Sequence, residues 1–561
     1  MKRNIEKLIS NQYDLIVIGG GIFGACAAWD ATLRGLSTAL IDKDDFSGAT
    51  SANHFKMVHG GIRYLQHGDI LRIRESSRER TAFLKIAPHL VRPLPIVIPT
   101  YGHGRKGRAF LGTGMLMYDL LTIDRNRSLQ SDRRIPNSRF LTRDQVVTLF
   151  PGIKKENLTG AAMFYDGQMY NPPRVALSFI RSAVEHGADA ANYVQALGFL
   201  KENNRIPGIR AADGVTGRHF EIRGRCILNA AGPWAHRLLE SDLELHFSKR
   251  PAFSRDLALV LNRRPHHGYA LAFSTPTKDS DTIVDRGGRH LFAVPWRDYT
   301  LIGVWHKSYT DPPDGIFVEP DEIAGFVSEV NQAYPGLKIS MEEISLINTG
   351  LTLFGKEERQ KEDRMSFGKR SMLLDHESTH GLKNLVTLIG VRATTARGMA
   401  SKAIDLVMKK IGIPSVSPDT EKTHIYGGDI DGFAREVESI RDRYANKVTT
   451  AQAGRLTANY GSRWPRVMKY LDPDCEKGNT IKSCDIFKAE TRHATCEEMA
   501  LHLKDTLFRR TDTGTGCMPS RREMEVCAAV MSEELGWDEE TMNNEIESAG
   551  KNPYMSALAP N

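Results

Sequence analysis

Cysteine is scarce and unpatterned in this chain: there are seven, an odd number, and no two form a CxxC pair. That argues against a disulfide framework and a zinc site and fits a reducing cytoplasm. Five of the seven lie beyond residue 470, where the irregular gaps between Cys484, Cys496 and Cys517 suit buried thiols better than a metal or redox centre. No apolar run approaches the ~18 residues of a membrane span, and the opening MKRNIEKLISNQ carries charge without an apolar core, so secretion is not expected. Internal repeats, low-complexity stretches and aromatic-interleaved basic tracts are also missing. The net charge of +7 is therefore diffuse; it suits anionic substrates or anionic membrane surfaces and does not argue for nucleic acid. With 41% hydrophobic and 25% charged residues the balance is that of a soluble globular protein, and 561 residues exceed what one core usually holds, so two or three domains are expected.

What is present is organised around residues 13–42, YDLIVIGGGIFGACAAWDATLRGLSTALID. An apolar run enters Gly19-Gly20-Gly21-Ile22-Phe23-Gly24, an alanine-rich helix follows, and a second apolar run stops at Asp42. This is a βαβ unit with a dinucleotide pattern. Gly19 allows the tight turn, Gly21 lets backbone approach a pyrophosphate, Gly24 lets helix meet strand, and the helix N-terminus faces the anion. Asp42, about 18 residues beyond the last glycine, stands where a carboxylate takes a ribose diol.

Beyond it, the small hydroxyl residues around Thr50 and Ser51 and the paired glycines in His59-Gly60-Gly61-Ile62-Arg63-Tyr64-Leu65 suggest backbone running close to a cofactor. Residues 68–90 read as a charged helix with Ile73, Ala82, Phe83 and Ile86 inward and its arginines solvated. RPLPIVIPTY reads as a proline-punctuated strand. Residues 110–121, rich in Leu, Met and Phe behind Arg105, Lys106 and Arg108, are either a core helix or a contact that dips into a bilayer interface. The run RCILNAAGPW returns the chain to the sheet beside the cofactor, which makes the nucleotide domain discontinuous. Residues 246–345 alternate as an antiparallel sheet with helices and read as a substrate-covering domain. At 383–411 a strand, Gly390, a polar turn and a long helix form a second anion-facing terminus, as if a large cofactor were held at both ends. Past a proline-containing linker, helical periodicity fills the tail. The expected fold is α/β: a Rossmann-like FAD-binding domain in three parts (11–95, 96–245 with an inserted segment, 376–412), an antiparallel-sheet substrate domain (246–375) and a C-terminal all-α domain (425–550). The helical domain serves either dimerisation, giving a homodimer, or capping of the cofactor domain.

Taken together, DLIVIGGGIFGAC, the HGGIRYL run at 59–65, Asn229-Ala230-Ala231-Gly232-Pro233-Trp234, IGVRATTAR at 389–397 and Leu507-Phe508-Arg509-Arg510-Thr511 resemble the FAD-dependent glycerol-3-phosphate dehydrogenases, within the D-amino-acid-oxidase-like flavoproteins. The resemblance implies a non-covalent FAD, oxidation of a secondary alcohol next to a phosphate-bearing carbon by hydride transfer to flavin N5, and electrons leaving to a quinone or oxygen. It implies a cytoplasmic enzyme, either free in the cytoplasm or seated at the inner face of the membrane. Cofactor contacts would come from Gly19, Gly21, Ile22, Phe23, Gly24, Asp42 and Lys43, from Thr50, Ser51, Lys56, Val58, His59, Gly60 and Gly61, from Ala231, Gly232 and Trp234, and from Gly390, Arg392, Ala393, Thr394 and Thr395. Arg63, Tyr64, Arg370 and Arg392 would hold the substrate anion, since alcohol oxidation needs a hydride acceptor, a base and cations for the anionic group.

Several pocket positions depart from the family pattern. Its Gly-Leu/Val-Arg-Pro reads Gly350-Leu351-Thr352-Leu353, so Thr352 stands where an arginine helps hold the phosphate; its Gly-Gly-Lys-Leu-Thr-Thr-Tyr-Arg turn carries Arg392 for lysine. A histidine expected on a substrate-domain strand falls at Leu257, Gly-Thr-Thr-Asp reads Gly303-Val304-Trp305-His306, and Asn53, His54 and Phe55 replace Arg-Ser-Ser/Thr. The candidate bases are His54 and His306, with Arg370 beside them as a further catalytic candidate and His59 fixing the cofactor loop. The expected substrate is glycerol 3-phosphate or a related hydroxylated anion, and with one charge-assisted pair lost the changes point to either a larger molecule with further contacts at Trp305 and His306 or a less highly charged acid. Two alternatives stand beside this reading: an oxidase or dehydrogenase of another small acid or sugar-derived substrate, and a flavin-binding protein without catalysis.

Overall fold

The computed structural model describes residues 1–102, 107–243, 245, 251–275, 290–354, 371–445, 447–477 and 480–551. Two sheets and a helical segment account for the fold. In the first sheet the order is Met372–Asp375, Leu385–Ile389, His219–Asn229, Gln12–Ile18, Thr38–Ile41 and Asp189–Ala191. From Leu385–Ile389 to Asp189–Ala191 the neighbours run parallel. Such a centre is covered on both faces, and its strands are accordingly continuous apolar runs: the Thr38–Ile41 strand is buried at every residue. Helices Ile22–Leu33, Pro172–Glu185 and Ala396–Ile411 pack on this sheet through one shared core. The RCILNAA run pairs with the first strand, Ile18 opposite Asn229, so the chain does return beside the glycine turn.

The second sheet runs Ile344–Phe354, Ala252–Leu261, Tyr299–Tyr309, His290–Trp296, Ala270–Ser274, Val91–Tyr101, Leu158–Met169 and Met57–Val58. Its strands are antiparallel except where Ala270–Ser274 lies along Val91–Tyr101. Here the structure differs from the sequence reading, which gave residues 57–169 to the cofactor-binding half. The RPLPIVIPTY strand has neighbours on both sides, Leu158–Met169 and Ala270–Ser274, but Pro93, Pro95 and Pro99 lack an N–H and leave the ladder only where the alternating bonds allow. Substrate-side wall and cofactor loop are thus parts of one sheet.

The helix expected at 68–90 is Ile70–Ile86, capped by the Asp69 carboxylate on Arg72 N–H, with Ile73, Ala82, Phe83 and Ile86 buried. One of its arginines is not solvated: Arg80 is fully buried and donates to Asp166 (3.0 Å) and to the Tyr165 carbonyl (2.7 Å). In the tail, helices Phe433–Arg443, Thr450–Tyr460, Ser483–Glu497 and Arg521–Leu535 follow the expected periodicity. The tail docks on the first sheet through buried charges. Arg510 donates both Nη1 and Nη2 to the Asp45 carboxylate (2.8 and 2.7 Å), and Arg509 Nε adds a third contact at 2.6 Å. Glu498 likewise accepts from Arg174 (2.6 Å) and Arg181 (3.1 Å). The FRRT run therefore fixes the loop that follows Asp42.

Candidate functional site

Between the two sheets lies a cavity of about 1680 Å³. That exceeds the ~300–1,000 Å³ of a site for one small ligand, so there is room for a large cofactor together with a substrate. At one end the glycine turn is set by contact. Gly19 has φ +104°, and a Cβ there would lie 2.6 Å from the Ala230 carbonyl oxygen; a Cβ on Gly24 would lie 1.9 Å from the Gly19 oxygen. Gly21 is the N-cap of helix Ile22–Leu33 and brings no side-chain acceptor to its first turn, while Ser51 Oγ accepts from Ile22 N–H at 2.9 Å. The helix dipole and amides so exposed are a cradle for a diphosphate.

Asp42 ends the second strand, accepting from Gly20 N–H (2.7 Å) and Asp44 N–H (3.0 Å). Burial is the main influence on it and pushes its carboxyl up to about 7, against the pull of those two hydrogen bonds. The late turn meets the early one: a Cβ on Gly390 would lie 1.9 Å from the Phe23 ring, and Thr394 Oγ1 accepts from His59 N–H at 3.0 Å. Asp166, which sequence reasoning missed, ties the paired glycines down by accepting from Gly60 N–H (2.6 Å) and lying 3.1 Å from His59 Nδ1.

Most of the cofactor residues named from the sequence line this cavity. Gly24, Lys56, Val58, Gly60 and Thr395 do not. Gly24 and Gly60 act by leaving room for backbone and for Arg80 respectively. Lys56 is a correction in kind: its Nζ is buried over the Trp296 ring at 4.6 Å, and burial, then Arg297, lowers it to about 7. Arg370, Arg105 and Lys106 lie outside the described residues.

The other end of the cavity is built by three strands of the second sheet. Register places Asp256 opposite both His306 and Gly350, and Ser254 opposite Thr352. Since successive side chains alternate faces, Ser254, Asp256, His306 and Thr352 share one face, and all four line the cavity. The Asp256 carboxylate lies 2.6 Å from His306 Nδ1 and accepts from Thr352 Oγ1 (2.8 Å) and Ser254 Oγ (2.7 Å). Where the family pattern has a histidine, Leu257 packs in the apolar core and borders the cavity with hydrocarbon alone, and the ionisable residue beside it is Asp256. Trp305 is stacked on Phe326 with ring centroids 5.5 Å apart and is no cavity contact. The signal that could have found Asp256 was the alternation in FSRDLALVL, which puts Ser254, Asp256 and Ala258 on a small and polar face.

His54 lines the cavity too, but Lys56 N–H donates to its Nδ1 at 3.0 Å, and burial, then Lys56 and His59, hold its pKa down at about 3. It is a neutral imidazole with its proton on Nε2, suited to donate and not to accept. Arg63, Tyr64 and Arg392 complete the lining from the 62–67 turn and the late turn.

A model of the FAD dependent oxidoreductases matches residues 14–382. The chain belongs to that family. A second model, the C-terminal domain of alpha-glycerophosphate oxidase, matches residues 418–542. Within the family the chain falls among the glycerol-3-phosphate dehydrogenases: it is 30% identical to the glycerol-3-phosphate dehydrogenase of Synechocystis over 97% of both chains. It is 27% identical to the mitochondrial enzyme of Homo sapiens over 97% of this chain and 74% of that one. The fold is that of the glycerol-3-phosphate dehydrogenase of Bacillus halodurans solved with FAD, at TM-score 0.76 and 23% identity over 99% of this chain and 97% of that one. The chain is thus an FAD-dependent oxidoreductase, and the glycine cradle, the uncapped helix N-terminus and Asp42 fit that cofactor's diphosphate and ribose.

Proposed function

We propose that this flavoprotein oxidises the secondary alcohol of glycerol 3-phosphate or a closely related polyol phosphate, with His306 as the proton acceptor. The observation that carries this reading is the Asp256–His306 pair, 2.6 Å apart, in the same cavity as the cofactor cradle. A carboxylate can only accept, so the imidazole keeps its proton on Nδ1, which makes Nε2 the basic nitrogen. Asp256 also stabilises the imidazolium formed when the substrate hydroxyl gives up its proton. Ser254 and Thr352 fill the carboxylate's remaining acceptor sites, which fixes the rotamer of Asp256 and through it the ring. FAD, when bound, supplies the hydride acceptor. His54 has its Nε2–H to donate within the same cavity, and the arginines at 63 and 392 bind the anionic group. Anaerobic mixing with glycerol 3-phosphate tests this: the visible flavin band should bleach, and an unbleached band with that compound and with other polyol phosphates would overturn the reading.

Electrons then leave to a quinone or oxygen. An exposed apolar ridge supports a peripheral membrane contact as part of this function. Phe110 (44% exposed), Leu116, Met117, Leu120 and Ile123 from the 108–123 region stand out beside Ile70 and Leu71 (81%) at the start of the neighbouring helix. Among the described residues no helix is long and apolar enough to cross a membrane.

A further inference from the structure

The cavity has a cationic wall that includes one arginine outside every motif named above. Arg72 sits in the first turn of helix Ile70–Ile86, and its guanidinium lies 5.4 Å from the centre of the Tyr64 ring. Arg392 lies 5.1 Å from the same ring, reaching it from the late turn. Both arginines and Tyr64 line the cavity, as does Arg63. The acids nearby balance only part of this charge. Asp69 pairs with Arg72 at 3.0 Å, and Glu75 is engaged by Lys402 at 2.8 Å. Arg392 forms no ion pair among the described residues. Burial lowers its pKa, and beyond the opposing effect of Tyr64 the charges of Arg63 and Arg72 lower it further. Holding the Arg72 and Arg392 guanidiniums against one ring is unfavourable by itself and becomes favourable once an anion lies between them.

The facing wall has the opposite sign. Thr352 holds the place of a family arginine, and its hydroxyl is committed to the Asp256 carboxylate. An anionic group set beside residue 352 would meet a carboxylate there.

We propose that Arg72 is a substrate-anion ligand, acting with Arg392 across Tyr64, and that it moves the phosphate-binding charge from the strand at 352 to the first turn of helix Ile70–Ile86. The substrate is then a polyol phosphate monoester lying across the cavity, its phosphate on the arginine wall and its hydroxyls toward Asp256, Thr352 and His306. This rests on the reading of the chain as a polyol phosphate dehydrogenase, but the arginine wall can be tested without turnover.

Inorganic phosphate is titrated against the FAD-loaded protein and followed by perturbation of the flavin absorption band and by the thermal midpoint. Loss of a hydrogen bond to a charged group predicts a ~10- to 100-fold weaker phosphate affinity in Arg72→Met, with partial recovery in Arg72→Lys. Asp69→Asn, which keeps the helix cap but frees Arg72, should bind phosphate more tightly than wild type. In turnover, Arg72→Met should raise KM for the phosphorylated substrate by the same factor and leave kcat within a few fold. Wild-type affinity for phosphate in Arg72→Met, or no phosphate binding by wild type, overturns the proposal. Failure of glycerol 3-phosphate to bleach the flavin would instead count against the functional reading, because the phosphate titration involves no reaction.

Discussion

The two ends of the cavity are built by different rules. At the cofactor end the constraints are backbone against backbone: Gly19 against the Ala230 carbonyl and Gly24 against the Gly19 carbonyl, each leaving no space for a Cβ. A larger residue at either of them moves main chain, so the pattern survives while the rest of the pocket changes. At the substrate end the contacts are side chain to side chain, Asp256 to His306, Ser254 and Thr352. Such a set can be exchanged residue for residue on an unchanged sheet. Chemistry can therefore diverge at one end of a cavity whose other end is held fixed.

Breaking the substrate end should be the larger effect on activity. His306→Gln should lower kcat by about 10²- to 10⁴-fold, the usual loss when a general base is removed, while flavin content stays normal. Stopped-flow flavin reduction measures it, and a rate within a few fold of wild type would leave His306 no role in proton transfer. Breaking the cofactor end should instead show first in stability. Asp45→Asn leaves Arg510 buried without its counter-charge and Arg509 with Asp505 alone, and breaking a buried pair of this kind typically destabilises by about 3–5 kcal/mol. The expected result is a lowered thermal midpoint with loss of bound FAD, and an unchanged midpoint would mean that the tail does not anchor the loop through this carboxylate.

Acid sharpens the same contrast with a smaller effect. Asp45 is held well below the ordinary carboxylate range by Arg510 and Arg509 against its burial, and Glu498 likewise by Arg174 and its neighbours. For a depressed carboxylate the stabilisation is complete above the unfolded value and disappears as pH falls through the folded one. Stability should thus hold down to about pH 4 and fall below it. Thermal midpoints across pH 2–6 check this, with the tail expected to detach before the sheets unfold.

How far the sequence could be read follows the same division. Gly19, Gly21 and Gly24 announce a cradle because few residues can occupy such positions, and the strand, turn and helix around them appear at their expected places. The second sheet was harder. Successive residues of a strand face opposite ways, so noting Leu257 where the family has a histidine did not single out Asp256 beside it, and Trp305, offered as a contact, stacks on Phe326 outside the cavity lining. Asp166 carried no local pattern at all, since it acts through partners distant in sequence: His59 and Asp166 are 107 residues apart. The membership of residues 57–169 in the second sheet was hidden for that reason as well, because pairing between distant strands leaves no periodic trace in either one.

The Asp45–Arg510 contact spans 465 positions of the chain. During synthesis at about 5–20 residues per second, the loop after the ribose-binding strand waits tens of seconds for its counter-charge. Until then a carboxylate destined for full burial remains hydrated, and the cradle beside it stays open. Cofactor capture is in this way coupled to the arrival of the helical segment, so a ribosome that stalls in between should release a chain whose glycine turn is intact and which still holds no flavin.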